Sequence, residues 1–213
     1  MGRRNEHSRA ELREIALQAA EHLVAEGGLA ALSTRKVAAH IGYTVGSLYL
    51  VFHNLDDLII QMNERTLDTL HERLAAARHA QREPVAAIRA LANTYIAFAL
   101  EQSHRWLAIY QHHLPEGQAT PPSLNERVSN MFALVQDTLT ALCPRRSSAE
   151  IALAARALWS GVHGICILGI DQKLEIADGP PVATVAEALL EPYLTGLAGL
   201  ERTGRLHPCT PPG

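Results

Sequence analysis

Residues 33–52 read Ser-Thr-Arg-Lys-Val-Ala-Ala-His-Ile-Gly-Tyr-Thr-Val-Gly-Ser-Leu-Tyr-Leu-Val-Phe, and that order of caps, apolar positions and glycines is hard to meet by chance. Residues 34–41 predict a short helix with Val37, Ala38 and Ile41 on one face, at the spacing of an inward stripe. Gly42 falls where the backbone must turn sharply, because a residue without Cβ takes positive φ at little cost. Thr44 can cap a second helix through its hydroxyl. From that cap Leu48 and Phe52 are expected to point inward, and Val45, Ser47 and Tyr49 outward. The pattern is a helix-turn-helix whose outer face is short, uncharged and hydroxyl-bearing, suited to the major groove of DNA.

The rest of the 213 residues extends a helical theme. Hydrophobic residues make up 47% and aromatics only 5%, and no alternating β-branched runs with tight-turn signals occur, so the class is all-α with about nine helices. Ser8 and Glu11 form a capping box for a first helix over residues 8–26, closed by Gly27-Gly28. Asn54 and Asp57 cap a long helix through Leu58, Met62, Leu67 and Leu74, which Pro84 interrupts. Further helices are expected over 85–114 (divided near 102–104), from a Ser123/Glu126 capping box to 142, from Ser147/Glu150 to 170, and over 182–200. This gives a head at 8–54, a helical body at 55–203, and a 204–213 tail expected to lack order.

Charge supports that division only weakly. The net charge is −3, with six Lys/Arg against five acids in residues 1–55 and thirteen against seventeen in the remainder. A slightly positive head on an acidic body fits a chain that touches DNA with its N-terminal part alone. Arg3 and Arg4 could reach a minor groove as an arm, or form a solvated tail. Cys143, Cys166 and Cys209 are odd in number and scattered, which is expected of reduced thiols in a cytoplasmic protein. The N-terminus lacks a signal-peptide stretch, and the most apolar window, residues 165–170, is too short for a bilayer, so no membrane partner is expected.

Catalytic signatures are missing: there is no Gly-x-Ser-x-Gly, no Walker loop and no Rossmann glycine pattern, and no cofactor is implied. His112 and His113 diverge when placed on a helix, which argues against a metal site.

The head resembles the tetracycline-repressor (TetR) family of bacterial transcription regulators. That family's pattern runs roughly Thr-x-Arg-x-Ile-Ala-x-x-Ala-Gly-Val-Ser-x-Gly-x-Leu-Tyr-x-His-Phe-x-x-Lys-x-x-Leu. It is matched here from Ser33 to Val37 and at Ala38, Gly42, Thr44, Gly46, Leu48, Tyr49, Phe52 and Leu58. Two positions depart: Val51 stands where a His is usual and Leu55 where a Lys is usual, removing two phosphate anchors that His53 or Asn54 could replace. In the body, Leu158-Trp-Ser-Gly-Val-His-Gly-Ile is similar to the Trp-x-x-x-His-Gly pattern of one subgroup.

The resemblance implies a ligand-responsive regulator, most simply a repressor. A homodimer would read a palindromic operator with recognition helices about 34–36 Å apart and be released by a small-molecule effector. The expected DNA contacts are Thr34, Arg35, Thr44, Val45, Ser47, Tyr49, His53 and Asn54, with Val45 and Ser47 at base edges and Thr34, Thr44 and Tyr49 at phosphates. The large side chains of the body, Tyr95, Phe98, Trp106, Tyr110, His113, Phe132, Trp159 and His163, form a candidate effector pocket or plain core. Gly161, Gly164, Leu189, Tyr193 and Leu197 form a candidate dimer interface. Two other classes compete: a helical scaffold whose helix-turn-helix only packs, and a small enzyme using His113, His163 and Glu101.

Overall fold

A computed structural model describes residues 7–203, so Arg3, Arg4, Cys209 and the 204–213 tail lie outside the described residues. Among those described there are nine α-helices, one 3-10 turn and no strand, in keeping with the all-α expectation. The order is α1 (Arg9–Gly27), the 3-10 turn (Leu29–Ala31), α2 (Thr34–Ile41), α3 (Val45–Leu48), α4 (Leu55–His79) and α5 (Pro84–Glu101). α6 (Ser103–Gln111), α7 (Pro122–Leu142), α8 (Ser148–Ile170) and α9 (Val182–Thr203) complete it.

Helix starts follow the local chemistry in most places. Ser8 and Glu11 satisfy each other's backbone amides, as do Ser147 and Glu150, so both capping boxes form. The Ser123/Glu126 box does not. α7 begins at Pro122, whose ring fixes φ for the first turn, and the Ser123 hydroxyl instead donates to Glu64 Oε1 at 2.5 Å.

The chain divides into two compact units, and the division is not the sequential one expected at residue 54. One unit holds described residues 7–70 and 101–128, the other 71–100 and 129–203. α4 supplies residues to both, and so does α7. The physical reason for the discontinuous first unit is that a three-helix head of this size cannot cover its own apolar face. Its core of Leu12, Ala16, Val24, Val37, Leu48 and Phe52 is completed by Leu58, Ile59 and Met62 of α4 and Ala108 of α6. α6 lies against α1 and the 3-10 turn, with the Trp106 side chain fully buried.

Polar clasps fix this arrangement. His104 Nδ1 lies 2.9 Å from the Ala25 carbonyl, His112 Nε2 lies 2.9 Å from Asp56 Oδ1, and Asn63 donates to the Ala108 carbonyl at 3.3 Å. Glu21 sits between Arg65 (2.8 Å) and Arg105 (3.6 Å), and Arg65 also forks onto both Glu14 oxygens. Such pairs give a defined register more than raw stability, because desolvation offsets much of their attraction.

In the second unit α8 and α9 pack closely. A Cβ on Gly161 would come within 2.7 Å of Leu189 Cδ2, and one on Gly169 within 2.8 Å of Val182 Cγ2. Tyr193 donates its hydroxyl proton to the Ala154 carbonyl at 2.9 Å, and Leu197 is buried. Gly161, Leu189 and Tyr193 thus make contacts within the chain while staying half-buried, and Leu197 is buried between its neighbours. Gly164 is different, since nothing lies within 4 Å of where its Cβ would stand. α8 also corrects the apolar-window estimate. By length and composition the whole of Ser148–Ile170 could cross a bilayer, yet Arg156 interrupts it and its apolar contacts are those of a core helix against α9.

Candidate functional site

Local chemistry specifies the bend of the head. Ser33 opens α2 by accepting from the Lys36 amide at 3.3 Å, and Gly42 closes it at φ 72°, in the left-handed region. The Tyr43 amide donates back to the Ala38 carbonyl at 2.9 Å, satisfying a carbonyl at the helix end. A side chain at position 42 would be disfavoured there by about 1–2 kcal/mol. Thr44 Oγ1 then accepts from the Ser47 amide at 3.2 Å and lies 2.9 Å from the Ser47 hydroxyl, which starts α3.

Around this bend Arg35, Lys36, Thr44 and Tyr49 are exposed, and Thr34 and Ser47 are half-buried. Tyr49 and its neighbour Leu50 are each 53% exposed. Val45 departs from expectation: it is half-buried and packs against the head core. Side chains lean toward the N-terminus of their helix, so the first residue of a one-turn helix falls back onto the element before it. Ser47 is half-buried too, its hydroxyl 2.9 Å from that of Thr44, and Lys36 and Leu50 are surface residues that sequence reasoning left out. The adjacent Arg35-Lys36 pair in the first turn of α2 was the available signal for Lys36.

The two family departures have a structural cause. Val51 is buried and Leu55 is half-buried against the same core, so neither position faces outward in this chain. Arg13 of α1 holds the end of this segment: it donates to the Val51 carbonyl at 2.9 Å, lies over the Phe52 ring at 5.7 Å and donates to Gln61 at 3.2 Å. No local pattern announces that role. His53 and Asn54 are exposed, but the Asn54 carboxamide oxygen accepts from the Asp57 amide, while the His53 amide donates to Asp57, each at 2.8 Å. The cap occupies the Asn54 oxygen and not its NH2 donors. Behind these residues a groove of about 390 Å³ is lined by His53, Asn54, Asp56, Asp57, Gln61, Glu64, Gln118 and Ser123. Its carboxylates are engaged with His112, with Ser123, and with the His53 amide and the Gln61 carboxamide. Among the described residues no group of three or more His, Cys, Asp or Glu is arranged to hold a metal ion.

The proposed body set separates. Trp106 and Tyr110, with ring centroids 5.0 Å apart, belong to the first unit, and His113 is exposed with Nδ1 2.8 Å from its own Gln111 carbonyl. Phe98 is buried beneath Arg73, 5.2 Å from its ring. The other four come together in the second unit. Trp159 Nε1 donates to the Tyr95 hydroxyl at 3.2 Å, and that oxygen lies 3.1 Å from His163 Nδ1. Phe132 meets Trp159 edge-on at 5.6 Å, His163 is tilted against Trp159 at 5.0 Å, and Arg156 lies 4.1 Å over Phe132. Burial pushes the His163 imidazole below its ordinary 6.5, which favours its neutral form. The cluster therefore offers flat apolar surface around neutral hydrogen-bonding groups, with a guanidinium at its edge. Arg156 was not anticipated, since a charge three residues before a Trp is unremarkable on its own.

Two family descriptions match this chain. Residues 16–62 match the bacterial regulatory proteins of the tetR family, and residues 88–193 match a tetracyclin repressor-like C-terminal domain. Neither description names the Trp-x-x-x-His-Gly subgroup. No curated protein matches. A Rhodococcus sp. RHA1 protein of unknown function is 23% identical with a TM-score of 0.75, covering 91% of this chain and 97% of its own. A TetR-family transcriptional regulator from Streptomyces coelicolor is 20% identical with a TM-score of 0.63, covering 89% and 99%. The transcriptional regulator FadR from Bacillus subtilis, solved in complex with stearoyl-CoA, is 17% identical with a TM-score of 0.65, covering 86% and 98%. At these identities the solved structures establish the shared fold.

Proposed function

This chain belongs to the tetR family of bacterial regulatory proteins, and we propose that it is a cytoplasmic repressor that reads a palindromic operator as a homodimer and releases it on binding a small effector. A DNA-binding transcription regulator takes the place of both competing classes. The scaffold reading loses its ground because the helix-turn-helix lies inside the matched family head. The enzyme reading loses its ground because the family consists of regulators and His113 is tied to its own turn.

The observation that carries the DNA reading is the double cap around Gly42, which leaves Thr44 and Tyr49 exposed and Ser47 half-buried after the turn, with Arg35 and Lys36 exposed at the start of α2. Thr34, Thr44, Tyr49, His53 and the Asn54 NH2 serve phosphates, and Ser47 reads a base edge. Val45, half-buried, reaches at most a thymine methyl.

Dimerisation uses the faces of α8 and α9 that the chain leaves uncovered. Leu153 (61% exposed), Ala157, Ser160, Gly164 and Leu168 follow one another at helical spacing on α8, with Thr184, Ala188 and Thr195 on α9. Small residues flanked by exposed leucines allow two helices to approach closely.

The effector sits against Tyr95, Phe132, Trp159 and His163. Neutral hydrogen-bonding groups among aromatic rings favour a largely apolar molecule with a polar end. The FadR structure in complex with stearoyl-CoA supports an effector with a long apolar part.

Selection of duplexes from random-sequence DNA tests the reading. The expected product is an inverted repeat with half-sites about one helical turn, or a multiple of it, apart, bound by two chains per duplex. Recovery of no consensus, or a single chain on a non-repeated site, contradicts it.

A further inference from the structure

One arginine joins three elements of the first unit. Arg13 of α1 donates through Nη2 to the Val51 carbonyl at 2.9 Å and through Nη1 to Gln61 Oε1 of α4 at 3.2 Å, with its guanidinium 5.7 Å from the Phe52 ring. Beyond Gln61 the hydrogen bonds continue. Gln61 Nε2 donates to Asp57 Oδ1 at 2.7 Å, and Asp57 Oδ2 accepts from the His53 amide at 2.8 Å. The Gln61 carboxamide fits only one way round: flipped, its NH2 would face the guanidinium donors and its oxygen the Asp57 carboxylate. The relay therefore runs from a cation to an anion with every donor matched, and its charged ends strengthen the bonds between them.

The relay holds the stretch from 49 to 54, between α3 and α4. α3 is four residues long, too short to keep its orientation by helical hydrogen bonds alone. The Thr44 cap fixes its start. Its end runs into Val51 and Phe52, both buried, and the exposed residues Tyr49, Leu50, His53 and Asn54 flank that pair on either side. Whatever fixes Val51 and Phe52 thus aims the four side chains around them. The direct partners of Arg13 are a carbonyl, a ring and a carboxamide, all neutral, so its charge is used to hold the fold of this stretch.

We propose that Arg13 is a positioning residue for DNA binding: by holding Val51, Phe52 and Gln61 together, it sets the angle at which residues 49–54 meet DNA without touching DNA itself. This rests on the DNA-reading assignment of the head. It adds a determinant on α1, outside the contacts of α2 and α3, and makes the first two turns of α4 part of the same support.

The test uses the full chain and a duplex that wild type selects from random sequence, comparing Arg13→Met, Arg13→Lys, Gln61→Met and the Arg13→Met/Gln61→Met pair. Arg13→Met and Gln61→Met should each bind about tenfold more weakly, and the pair no more weakly than the worse of the two, because both break one relay. Arg13→Lys keeps the charge but not the planar fork, so it should bind nearly as weakly as Arg13→Met. The slope of log affinity against log salt should stay at the wild-type value in Arg13→Met, since residues 49–54 carry no Lys or Arg. An arginine that touches phosphate would instead flatten it by about 0.9 for each one removed. Gln61→Met should leave binding to a random duplex unchanged, a split that a general loss of folded protein would not produce. If Arg13→Met does not fold, Gln61→Met decides: a tenfold loss on the selected duplex upholds the relay and wild-type affinity overturns it. A flattened slope in Arg13→Met, or wild-type affinity in Gln61→Met, would overturn the proposal and leave the head assignment standing. Wild type that selects no sequence would overturn both.

Discussion

The two units place their functional side chains in opposite ways. In the first, the DNA-reading candidates fall within about twenty consecutive residues whose turns are set by local caps: Ser33 accepts from Lys36, Thr44 from Ser47 and Asn54 from Asp57. In the second, the aromatic–histidine cluster is drawn from positions 95, 132, 156, 159 and 163 on three helices, and long-range contacts hold it together. A site built from local hydrogen bonds survives changes elsewhere in the chain, whereas a site built by packing moves when its helices move. That contrast suits a protein whose reader must stay constant while its sensor responds.

The comparison can be broken most forcefully in the head core. Leu48→Ala truncates a fully buried side chain and should destabilise the first unit by about 2–5 kcal/mol, read from urea unfolding. DNA binding should fail with it. If the sensor depends instead on packing between helices, Tyr95→Phe, which deprives the Trp159 indole of its acceptor, should cost about 1–3 kcal/mol. Tyr95→Phe should shift Trp fluorescence and leave DNA affinity without effector unchanged. Thr44→Ala removes one cap and should cost about 1 kcal/mol, yet weaken DNA binding by more than that loss of stability explains. Gly164→Ala should run the other way: with open space at its Cβ, it should stabilise the helix by up to about 1 kcal/mol in urea unfolding. The bulkier Gly164→Leu should lower the dimer fraction in sedimentation if that face pairs.

Titration separates the units further. Burial lowers the His163 pKa, so between its folded value and 6.5 the unfolded chain binds more protons and stability rises with pH. The loss begins as pH falls past about 6.5 and is complete below the folded value. Glu11 is held below 4.5 by the Ser8 amide and hydroxyl, and Glu14 by its bond from Gln18. Their contribution is present above 4.5 and fades only below it. Unfolding midpoints measured from pH 8 to pH 4 should therefore show a first decline that begins below the ordinary imidazole value and that His163→Asn flattens, and a later one that it leaves alone.

The same contrast explains what was legible beforehand. The caps, Gly42 and the inward Leu48 and Phe52 follow from residues a turn apart, so a linear reading reaches them. Val45 escaped because a one-turn helix has too little period to show which way its first residue leans. The compact unit around the head runs beyond residue 54 because α6, some fifty residues later, completes its core through Ala108. Gly161 and Leu189 were correctly singled out as a close approach, but glycine on a helix does not say whether the approaching chain is its own or a partner. The gathering of Tyr95, Phe132, Trp159 and His163, and the presence of Arg156 among them, is a product of helix packing with no counterpart in local sequence.

The central claim is that the edge bearing Ser47 and Tyr49 reads DNA. Fluorescence-anisotropy titrations of a selected duplex with wild type, Tyr49→Ala and Ser47→Ala test it most directly, because neither side chain belongs to the buried core. Both variants should keep the wild-type unfolding midpoint and dimer fraction while binding tenfold or more weakly. Ser47→Ala should also relax preference at one base position in each half-site. Wild-type affinity and sequence preference in both variants would contradict the account.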